Sequence, residues 1–483
     1  MQSPEKKEYE ISLFPGSEFQ QETGRWLSEH LANAINAVAR GHVSPTVDVA
    51  RFREQLARRS FEEAEPLTEL IEWVTDALQQ GLVQMTHPRY FGLFNPAPSF
   101  PSVVADTIAA HFNPQICVWS HAPAAVEIEE HMIEQLAQKA GMPESSGGHF
   151  TSGGSEANNT AVVCALTRAT PEFAELGARA FSGQPLIYVS RESHLAWLKI
   201  AHQLGIGRNA VRLIETDGLG RMDINVLQET IDVDAAAGAA PVMIAATAGT
   251  TNAGVVDPLH ACADIARHHA IWFHVDAAWG GALVCSPRYR DVLDGMERAD
   301  SVTIDAHKWF ATTMGAGIFL TRHKHLLNEA FAVATDYMPS NDASVDYYVN
   351  SIQWSRRFIG LRLFLSLGAA GWSGYAAHVE RGVALVEAFT DRLQREGWRL
   401  ENDSKMAVAC LTPPAGSLSV TEIVDAVVRR QSRYPRLHDE RTLDPGRLRC
   451  TRRPAASAHL KVGMLKSNSH RPWLRSSRTR LYR

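Results

Sequence analysis

The stretch Ser301-Val-Thr-Ile-Asp-Ala-His-Lys-Trp-Phe310 is an apolar run that ends in an amine, that of Lys308. A second run, Phe273-His-Val-Asp-Ala-Ala-Trp-Gly-Gly281, carries the carboxylate of Asp276 at a comparable position. Short continuous apolar runs of this kind are typical of strands buried on both faces of a parallel sheet. The two runs therefore predict an amine and a carboxylate at the tips of two buried strands.

An amine and a carboxylate so placed are what pyridoxal phosphate requires of a protein. Lys308 would form a Schiff base with the cofactor aldehyde, and Asp276 would keep the pyridine nitrogen protonated. The alternatives are a surface lysine and a solvated or helix-capping acid, and the apolar residues around both positions argue against them. A buried carboxylate needs a cationic partner, and a charge-assisted hydrogen bond contributes about 1.5–3 kcal/mol. We therefore predict a pyridoxal phosphate site.

A glycine-rich segment supplies the candidate phosphate site. It reads Thr151-Ser-Gly-Gly-Ser-Glu-Ala-Asn-Asn159 and precedes an alanine-rich helical stretch. Gly153 and Gly154 let the backbone approach an anion, and Ser155 with the free amides of the helix start can bind phosphate. Most Gly-Gly-Ser loops are ordinary turns, so the segment counts only together with Lys308 and Asp276. No G-x-G-x-x-G follows a strand, which argues against a dinucleotide site.

Two further residues follow predicted strands. His194 lies in the turn after 186–190, where it could stack on a cofactor ring or be a partly exposed loop histidine. Thr247 could donate its hydroxyl near the ring or the substrate carboxylate. It could equally be a strand-end residue that satisfies the backbone. The residues alone leave both choices open.

From about residue 150 onward, short apolar segments alternate with amphipathic helical segments, one of which opens at Asp223. This alternation indicates an α/β fold, with a mostly parallel sheet covered by helices on both faces. In such sheets ligands bind beyond the carboxyl ends of the strands, where Asp276 and Lys308 fall. The predicted strands are 186–190, 211–214, 242–247, 271–275 and 302–304.

The parts of the chain differ in pattern. Up to about residue 85, apolar residues recur at helical spacing. We therefore predict an N-terminal helical segment over 1–95, a large α/β domain over 96–373 and a small C-terminal α+β domain over 374–483.

Composition limits the class of protein. The chain has 483 residues, 45% of them hydrophobic, and can bury a large core. Its first ten residues are charged and lack the apolar segment of a secretory signal, and no apolar run is long enough to span a bilayer. The six cysteines include no C-x-x-C pair. We expect a soluble, cytoplasmic protein with no disulfide framework, no metal site and no membrane partner.

Several of these segments together resemble the group II pyridoxal-phosphate amino-acid decarboxylases, which include aromatic-amino-acid, glutamate, histidine and diaminobutyrate decarboxylases. The resemblance covers about residues 20 to 428. It implies an aspartate-aminotransferase-like fold (fold type I), and a homodimer whose N-terminal helical segment clasps the partner. The segments that carry it, besides the three quoted above, are His194, 246–251, 87–101, 119–129 and 353–363.

The resemblance also implies roles for individual residues. Lys308 would be the Schiff-base lysine, Asp276 the partner of the pyridine nitrogen, and His194 the residue stacked on the ring. Gly153, Gly154 and Ser155 would hold the phosphate with His307. Thr247 and Ala278 would line the ring, and Asp305 belongs to the same cofactor-binding motif.

The family carries a tyrosine on a mobile loop that protonates the substrate carbon after carbon dioxide leaves. Counting back from Arg356-Arg-Phe358 predicts Tyr347 for this role, which favours simple decarboxylation over aldehyde-forming oxidation. Transamination with the same cofactor is a further alternative. The alternative is an ordinary tyrosine on an exposed loop. Tyr90, Phe91 and Trp119 could form an aromatic substrate pocket, although Arg89 could instead serve an acidic substrate. We expect an aromatic amino acid or a related substrate.

The C-terminal tail departs from the family. From Arg429 onward the chain carries 14 Arg and 2 Lys against 3 acidic residues, which could indicate nucleic-acid binding. The family resemblance stops abruptly here, and codons for 433–437 can be chosen so that a one-base shift yields the Ile-Ser-Thr-Thr typical of the family. We therefore interpret 430–483 as a frameshifted reading and expect no nucleic-acid partner. An inactive relic of a decarboxylase is the alternative that this tail raises.

Overall fold

The computed structural model describes residues 13–90, 92, 96–333, 345–431 and 460–462. Most of the predicted frameshifted tail lies outside the described residues. The helices are α1 (Ser17–Val38), α2 (Val49–Ala57), α3 (Leu67–Gly81), α4 (Phe100–Phe112), α5 (Pro123–Lys139), α6 (Gly154–Ala169), α7 (Phe173–Leu176), α8 (Ala196–Gln203), α9 (Ile224–Ala236), α10 (Leu259–His268), α11 (Lys324–Phe331), α12 (Leu361–Arg395) and α13 (Val420–Gln431).

The strands form two sheets. Within the described residues, the large sheet has seven strands in the order β1-β7-β6-β5-β4-β2-β3, and the small sheet has the order β10-β9-β8. Neighbouring strands from β6 to β3 are parallel, whereas β7 is antiparallel to both β1 and β6. The strands are β1 (Gly147–Thr151), β2 (Pro185–Ser190), β3 (Val211–Ile214), β4 (Ala240–Thr247), β5 (Trp272–Asp276), β6 (Ser301–Asp305), β7 (Gly317–Thr321), β8 (Arg399–Leu400), β9 (Ala409–Thr412) and β10 (Leu460–Val462).

The central strands are buried on both faces. All five residues of β5 and all five of β6 are buried, which explains the apolar residues at alternate and adjacent positions of these strands. Helix α6 packs over this part of the sheet, and its buried face includes Ala157, Ala161 and Leu166. The mostly parallel sheet that was predicted from the alternating pattern is therefore confirmed.

The register of the large sheet brings polar strand ends together. Thr247 of β4 pairs with Asp276 of β5, and Asp276 pairs in turn with Thr303 of β6. Asp305 and Thr151 both pair with Gly317 of the antiparallel strand β7. The carboxyl ends of β1, β4, β5 and β6 thus meet at one edge of the sheet, where an open α/β sheet binds its ligand.

The chain divides into two compact units. In the described part, one unit holds α1, α2, α3 and α13, and the other holds residues 92 and 96–414 together with β10. Helix α2 begins at the cap Asp48, whose side chain accepts hydrogen bonds from the backbone N–H groups of Ala50 and Arg51. The helical character predicted for the N-terminal segment is confirmed in this unit.

Helix α12 runs across the predicted start of the C-terminal domain. It is interrupted at Gly371, whose φ of 65° lies in the left-handed region that glycine adopts without steric cost. The small sheet follows this helix. The three-part domain division stays a prediction.

Candidate active site

One cavity of about 330 Å³ lies at the carboxyl edge of the large sheet. All of the residues predicted to bind the cofactor line it. They are Gly153, Gly154, Ser155, His194, Thr247, Asp276, Ala278, Asp305, His307 and Lys308.

Lys308 is held in the cavity by the carboxylate at the end of β6. Its Nζ lies 2.9 Å from Oδ2 of Asp305, and a quarter of its side chain is exposed to solvent. Nε2 of His307 lies 3.9 Å from the same oxygen. The amine is therefore directed into the cavity by a buried acid, while its nitrogen stays accessible to a ligand.

Asp276 ends a chain of buried hydrogen bonds. Its Oδ2 accepts from Nδ2 of Asn158 at 2.8 Å, and its Oδ1 accepts from the backbone N–H of Ala278 at 3.1 Å. Because Asn158 donates with its nitrogen, its Oδ1 must accept from Nε2 of His274, at 3.2 Å. Nδ1 of His274 is then the acceptor for the hydroxyl of Ser301, at 2.8 Å.

This series of hydrogen bonds requires a neutral His274 side chain. Burial lowers the pKa of His274 to about 4, even though the nearby charge of Asp276 raises it. A neutral imidazole has one donor and one acceptor nitrogen, which is what Asn158 and Ser301 need. The chain fixes the direction of the Asp276 carboxylate and leaves it able to accept one more hydrogen bond, from a protonated ring nitrogen.

The other end of the cavity is suited to an anion. Gly153 and Gly154 lie at the start of α6, where the first backbone N–H groups of the helix point outward. A Cβ atom on Gly154 would lie 3.0 Å from Oδ2 of Asp305, so a larger residue would crowd this end of the cavity. The hydroxyl of Ser155 lies in the same first turn. The positions and residue types therefore fit a phosphate.

One oxygen of the buried Asp305 carboxylate can still accept a hydrogen bond. Its Oδ1 is buried and has no hydrogen-bond partner among the described residues. Most buried polar atoms in native proteins are paired, and an exception at a cavity wall often marks a place where a ligand belongs. Oδ1 of Asp305 and the carboxylate of Asp276 can each accept a hydrogen bond from a ligand, while the start of α6 can bind an anion. Pyridoxal phosphate has both a protonated ring nitrogen and a phosphate, so it fits this set of groups.

Thr247 and His194 form a third wall. The hydroxyl groups of Thr247 and Ser193 lie 2.8 Å apart, and the backbone N–H of Thr247 donates to Oδ2 of Asp257 at 2.7 Å. The side chain of His194 is exposed toward the cavity, and its Nδ1 accepts from the backbone N–H of Ala196. Asp257 is fully buried, and burial raises its pKa to about 6. The backbone of Thr247 is thus fixed by Asp257 and its side chain lines the cavity, while its role toward the cofactor or substrate stays a prediction.

Six more residues line the cavity that the sequence did not single out. Each of them lies inside a segment already recognised as chemically important, so the signal was present at the level of the segment. The role of Asn158 depends on which face of α6 turns toward β5, and no spacing rule gives this. The six residues are Ser152, Glu156, Asn158, Gly249, Thr251 and Trp279.

Tyr347 does not lie at the cavity. The resemblance predicted a catalytic tyrosine on a mobile loop, and the alternative was an ordinary tyrosine on an exposed loop. The side chain is in fact fully buried among Ile116, Ala125 and Val126. Its hydroxyl donates to Oε1 of Glu130 at 2.9 Å, and burial raises its pKa well above the usual value for a tyrosine. In this structure the phenol is committed to a carboxylate and does not line the cavity, so the catalytic role of Tyr347 stays a prediction.

The predicted aromatic substrate pocket stays a prediction. Trp119 does not line the cavity, and its indole N–H donates to Oε1 of Glu127 at 2.8 Å. Tyr90 belongs to the other compact unit. Phe91 lies outside the described residues. The aromatic side chain that does line the cavity is Trp279, which stacks on Trp309 with ring centroids 5.3 Å apart.

No group of three or more His, Cys, Asp or Glu residues in the described part of the chain is placed to hold a metal ion. Among the same residues, no helix is long and apolar enough to cross a membrane.

Comparison with known proteins agrees with this geometry. The sheet order and the cavity at its carboxyl edge are those of a pyridoxal-phosphate enzyme of fold type I. Residues 51–411 match the pyridoxal-dependent decarboxylase conserved domain, and the chain belongs to this family.

Its relatives include decarboxylases of different substrates. The chain is 32% identical to the human acidic amino acid decarboxylase GADL1 over 361 residues, 73% of this chain and 68% of that one. It is 28% identical to the aromatic-L-amino-acid decarboxylase of Bacillus atrophaeus over 396 residues, 80% of each chain. Mouse cysteine sulfinic acid decarboxylase is 32% identical over 342 residues, 69% of each chain.

Solved structures confirm the predicted fold. The crystal structure of mouse CSAD in its apo form superimposes with a TM-score of 0.76 at 27% identity, covering 81% of this chain and 84% of that chain. Oryza sativa TDC with PLP and tryptamine has a TM-score of 0.84 at 23% identity, covering 94% and 96%. The chain is thus an amino-acid decarboxylase, a carboxy-lyase that depends on pyridoxal phosphate.

Proposed function

We propose that the cavity residues named above carry the decarboxylation of an L-amino acid to its amine and carbon dioxide, with an aromatic side chain preferred. The observation that carries this proposal is the meeting of Lys308, Asp276 and the start of α6 in one cavity. These groups come from three separate segments of the chain, and each has a chemical task in the same reaction.

The residues would divide the binding of the cofactor between them. Gly153, Gly154 and Ser155 would hold the phosphate, and Asp276 would accept a hydrogen bond from the ring nitrogen. When bound, pyridoxal phosphate supplies an electron sink for the carbanion that is left by carbon dioxide. Asp276 keeps this sink effective because its charge favours the protonated ring nitrogen, and the chain through Asn158 and His274 keeps the carboxylate in place.

Lys308 and His194 are the described cavity groups that we propose to handle protons. The hydrogen bond from Nζ of Lys308 to Asp305 keeps this amine oriented toward the reacting centre. The imidazole of His194 is exposed to the cavity and would cover one face of the ring, which excludes water there. Because Tyr347 donates to Glu130 in this structure, Lys308 and His194 are the cavity groups that would return a proton to the carbon without a rearrangement of Tyr347.

The substrate class rests on the charges of the cavity. Among the described residues that line it, the cationic side chain is that of Lys308, whereas Glu156, Asp276 and Asp305 are acidic. A substrate with an acidic side chain would lack a dedicated cation here, so we favour a neutral aromatic substrate beside Trp279. The second candidate is an acidic amino acid, which the identity of 32% to the acidic amino acid and cysteine sulfinic acid decarboxylases supports.

The assembly and location are proposals of the same kind. Helices α1 and α3 expose apolar side chains, among them Ile35 and Leu78, and we propose that a second copy of the chain covers them in a homodimer. The five described cysteines are free and buried, which supports a reducing cytoplasm. Sedimentation of the purified protein tests the first proposal, with a monomer as the contradicting result.

The decisive experiment is a substrate screen. Purified protein with pyridoxal phosphate is given each common amino acid and cysteine sulfinate, and carbon dioxide, amine, aldehyde and ammonia are measured. We expect carbon dioxide and amine in equal amounts from an aromatic substrate. Aldehyde with ammonia would support the oxidative alternative, and bound cofactor without turnover on any substrate would support the inactive relic.

A further inference from the structure

A fully buried ion pair lies behind the anion-binding end of the cavity. Nη2 of Arg356 donates to Oε2 of Glu129, and neither side chain is exposed to solvent. The other oxygen of Glu129 accepts from the backbone N–H of Gly360 at 2.6 Å. Burial alone would lower the pKa of Arg356, but the charge and hydrogen bond of Glu129, with the charges of Tyr347 and Glu156, together outweigh it and the pKa is raised. The guanidinium is therefore a fixed, permanently charged group.

Arg356 contacts the chain just before the glycine-rich segment. Its Nη1 donates to the backbone carbonyl of Phe150 at 2.9 Å, one residue before Thr151. The same nitrogen donates to Oε1 of Gln353 at 3.0 Å. One buried cation thus holds both the entry of the segment and the side chain of Gln353.

Gln353 carries the connection to the other end of the segment. Its Nε2 donates to Oε1 of Glu156 at 2.7 Å. Oε2 of Glu156 accepts from both the backbone N–H and the hydroxyl of Ser152, at 2.9 and 2.6 Å. Ser152 and Glu156 line the cavity on either side of Gly153, Gly154 and Ser155.

We propose that Gln353 and Arg356 are positioning residues that clamp the segment 151–156 in the shape that binds the phosphate of the cofactor. The proposal rests on the proposed function, because it assumes that this segment holds the phosphate. The amide of Gln353 is suited to the task since it accepts from a cation with one end and donates to a carboxylate with the other.

If the clamp holds the segment, then replacing the donating amide of Gln353 with a carboxylate should weaken the binding of phosphate-bearing ligands only. In Gln353→Glu, one carboxylate oxygen still accepts from Arg356, but the other faces Oε1 of Glu156. The repulsion of two carboxylates would push Glu156 away and release Ser152. Ligands that carry a phosphate should lose affinity, while pyridoxal without its phosphate should not, because its aldehyde and ring contact Lys308 and Asp276.

A paired exchange should restore the clamp. In the double variant Glu156→Gln with Gln353→Glu, the new amide at 156 accepts from Ser152 with its oxygen and donates to the carboxylate at 353. That carboxylate also accepts from Arg356, so every hydrogen bond of the clamp has a partner again. A control is Gln228→Glu on α9, because Nε2 of Gln228 donates to Asp232 and a like-charge pair is created away from the cavity, beside His269.

The experiment compares the dissociation constants of pyridoxal phosphate and pyridoxal, followed by the absorbance of the bound aldehyde, in the four proteins. We expect Gln353→Glu to weaken pyridoxal phosphate by about tenfold or more and pyridoxal by less than about twofold. We expect the dissociation constant of pyridoxal phosphate in the double variant to return to within about threefold of the wild-type value. The Gln228→Glu variant should have the wild-type dissociation constant.

Several results would overturn the clamp. Equal weakening of both ligands, no weakening, or no recovery in the double variant would each contradict it. If Gln353→Glu does not fold, Glu156→Gln replaces it, since its amide would face the amide of Gln353 and lose the same connection. A wild-type protein that binds no pyridoxal phosphate would instead refute the proposed function, and inorganic phosphate as a competitor of pyridoxal phosphate would show whether the segment binds the anion.

Discussion

Two clusters of buried charge lie on either side of the glycine-rich segment, and they are built in opposite ways. The cavity cluster consists of Asp276, Asp305 and Lys308, and the clamp cluster of Glu129, Arg356 and Gln353. In the cavity, Oδ1 of Asp305 has no partner among the described residues, and a quarter of Lys308 is exposed. In the clamp, Arg356 and Glu129 are sealed, and both carboxylate oxygens are paired.

The difference separates a binding site from its support. Buried polar groups that remain incompletely paired mark a place where a ligand completes them, whereas a paired and inaccessible network holds one conformation. The clamp still has one open atom, Nε of Arg356, but the guanidinium lies over the ring of Tyr347 at 4.0 Å and is not among the residues that line the described cavity. The predictions below test whether the first cluster acts in chemistry and the second in stability.

Substitution of Lys308 should have the largest effect. Lys308→Ala removes the amine that attaches the cofactor, so we expect turnover to fall by more than about 10³-fold. The absorbance of covalently bound cofactor should be lost with it. The matched control is Lys199→Ala, an exposed lysine on α8. Retention of both signals in the Lys308 variant would remove the cavity cluster from catalysis.

Substitution of Arg356 should mainly lower the free energy of unfolding, and not act directly on the catalytic step. Arg356→Met leaves the carboxylate of Glu129 buried and unpaired, which costs about 3–5 kcal/mol of unfolding free energy. The control is Arg191→Met, which breaks a solvent-exposed pair with Glu215 and should cost less than about 1 kcal/mol. Denaturant unfolding of both variants measures the difference. Equal losses would mean that the two ion pairs are alike and that the sealed cluster has no special role.

Lowering the pH should destabilise the folded protein through His274, which is linked to Asp276 by hydrogen bonds. The pKa of His274 is lowered from 6.5 to about 4 by burial, so the folded state binds fewer protons than the unfolded state between these values. The stability contributed by the neutral ring is present above pH 6.5 and is lost as the pH falls through about 4, a change of about 3 kcal/mol. We expect the wild type to lose more unfolding free energy over this interval than His274→Gln. Parallel pH profiles would contradict a neutral His274 in the folded protein.

Substitution of Asp276 should have a smaller but specific effect. Asp276→Asn keeps the shape of the side chain but removes the charge that holds the ring nitrogen protonated. Loss of this charge-assisted hydrogen bond, about 1.5–3 kcal/mol, corresponds to a fall in turnover of roughly 10- to 150-fold. Asp232→Asn on the surface is the control, and its turnover should equal that of the wild type. An unchanged rate in Asp276→Asn would assign the ring nitrogen to another partner.

The cavity cluster could be predicted from the sequence because each of its residues is indicated by the segment in which it lies. The apolar runs of β5 and β6 end at Asp276 and Asp305, and the carboxyl ends of parallel strands meet by construction. Asp223 likewise opens α9, where it caps the backbone N–H groups of Asn225 and Val226. In each case, the residue type and its place in a run were sufficient for the prediction.

The clamp cluster could not be predicted in the same way. Glu129 and Arg356 are 227 positions apart, and nothing in either local sequence indicates the partner. Tyr347 was placed by counting back from the segment that contains Arg356, but a count along the chain does not tell on which side of a buried ion pair a ring will pack. Helix α12, which crosses the predicted boundary of the C-terminal domain, shows the same limit of local information.

The smallest expected effect concerns Tyr347 itself. Tyr347→Phe removes one hydrogen bond to Glu130, which also contacts Nζ of Lys324, so we expect a loss of about 1 kcal/mol of unfolding free energy. The rate of amine formation with saturating cofactor should not change. Tyr188→Phe is a close match, because this tyrosine is also fully buried and donates to a carboxylate, that of Asp234, at 3.2 Å.

Comparison of the two tyrosine variants separates support from chemistry. If both lose similar stability and keep the wild-type rate, Tyr347 belongs with Arg356 to the supporting cluster. If Tyr347→Phe alone slows amine formation or diverts the product to aldehyde, its phenol must leave Glu130 during turnover and act on the substrate carbon. The buried position of Tyr347 would then describe a resting state, and the division between the two clusters would fail at this residue.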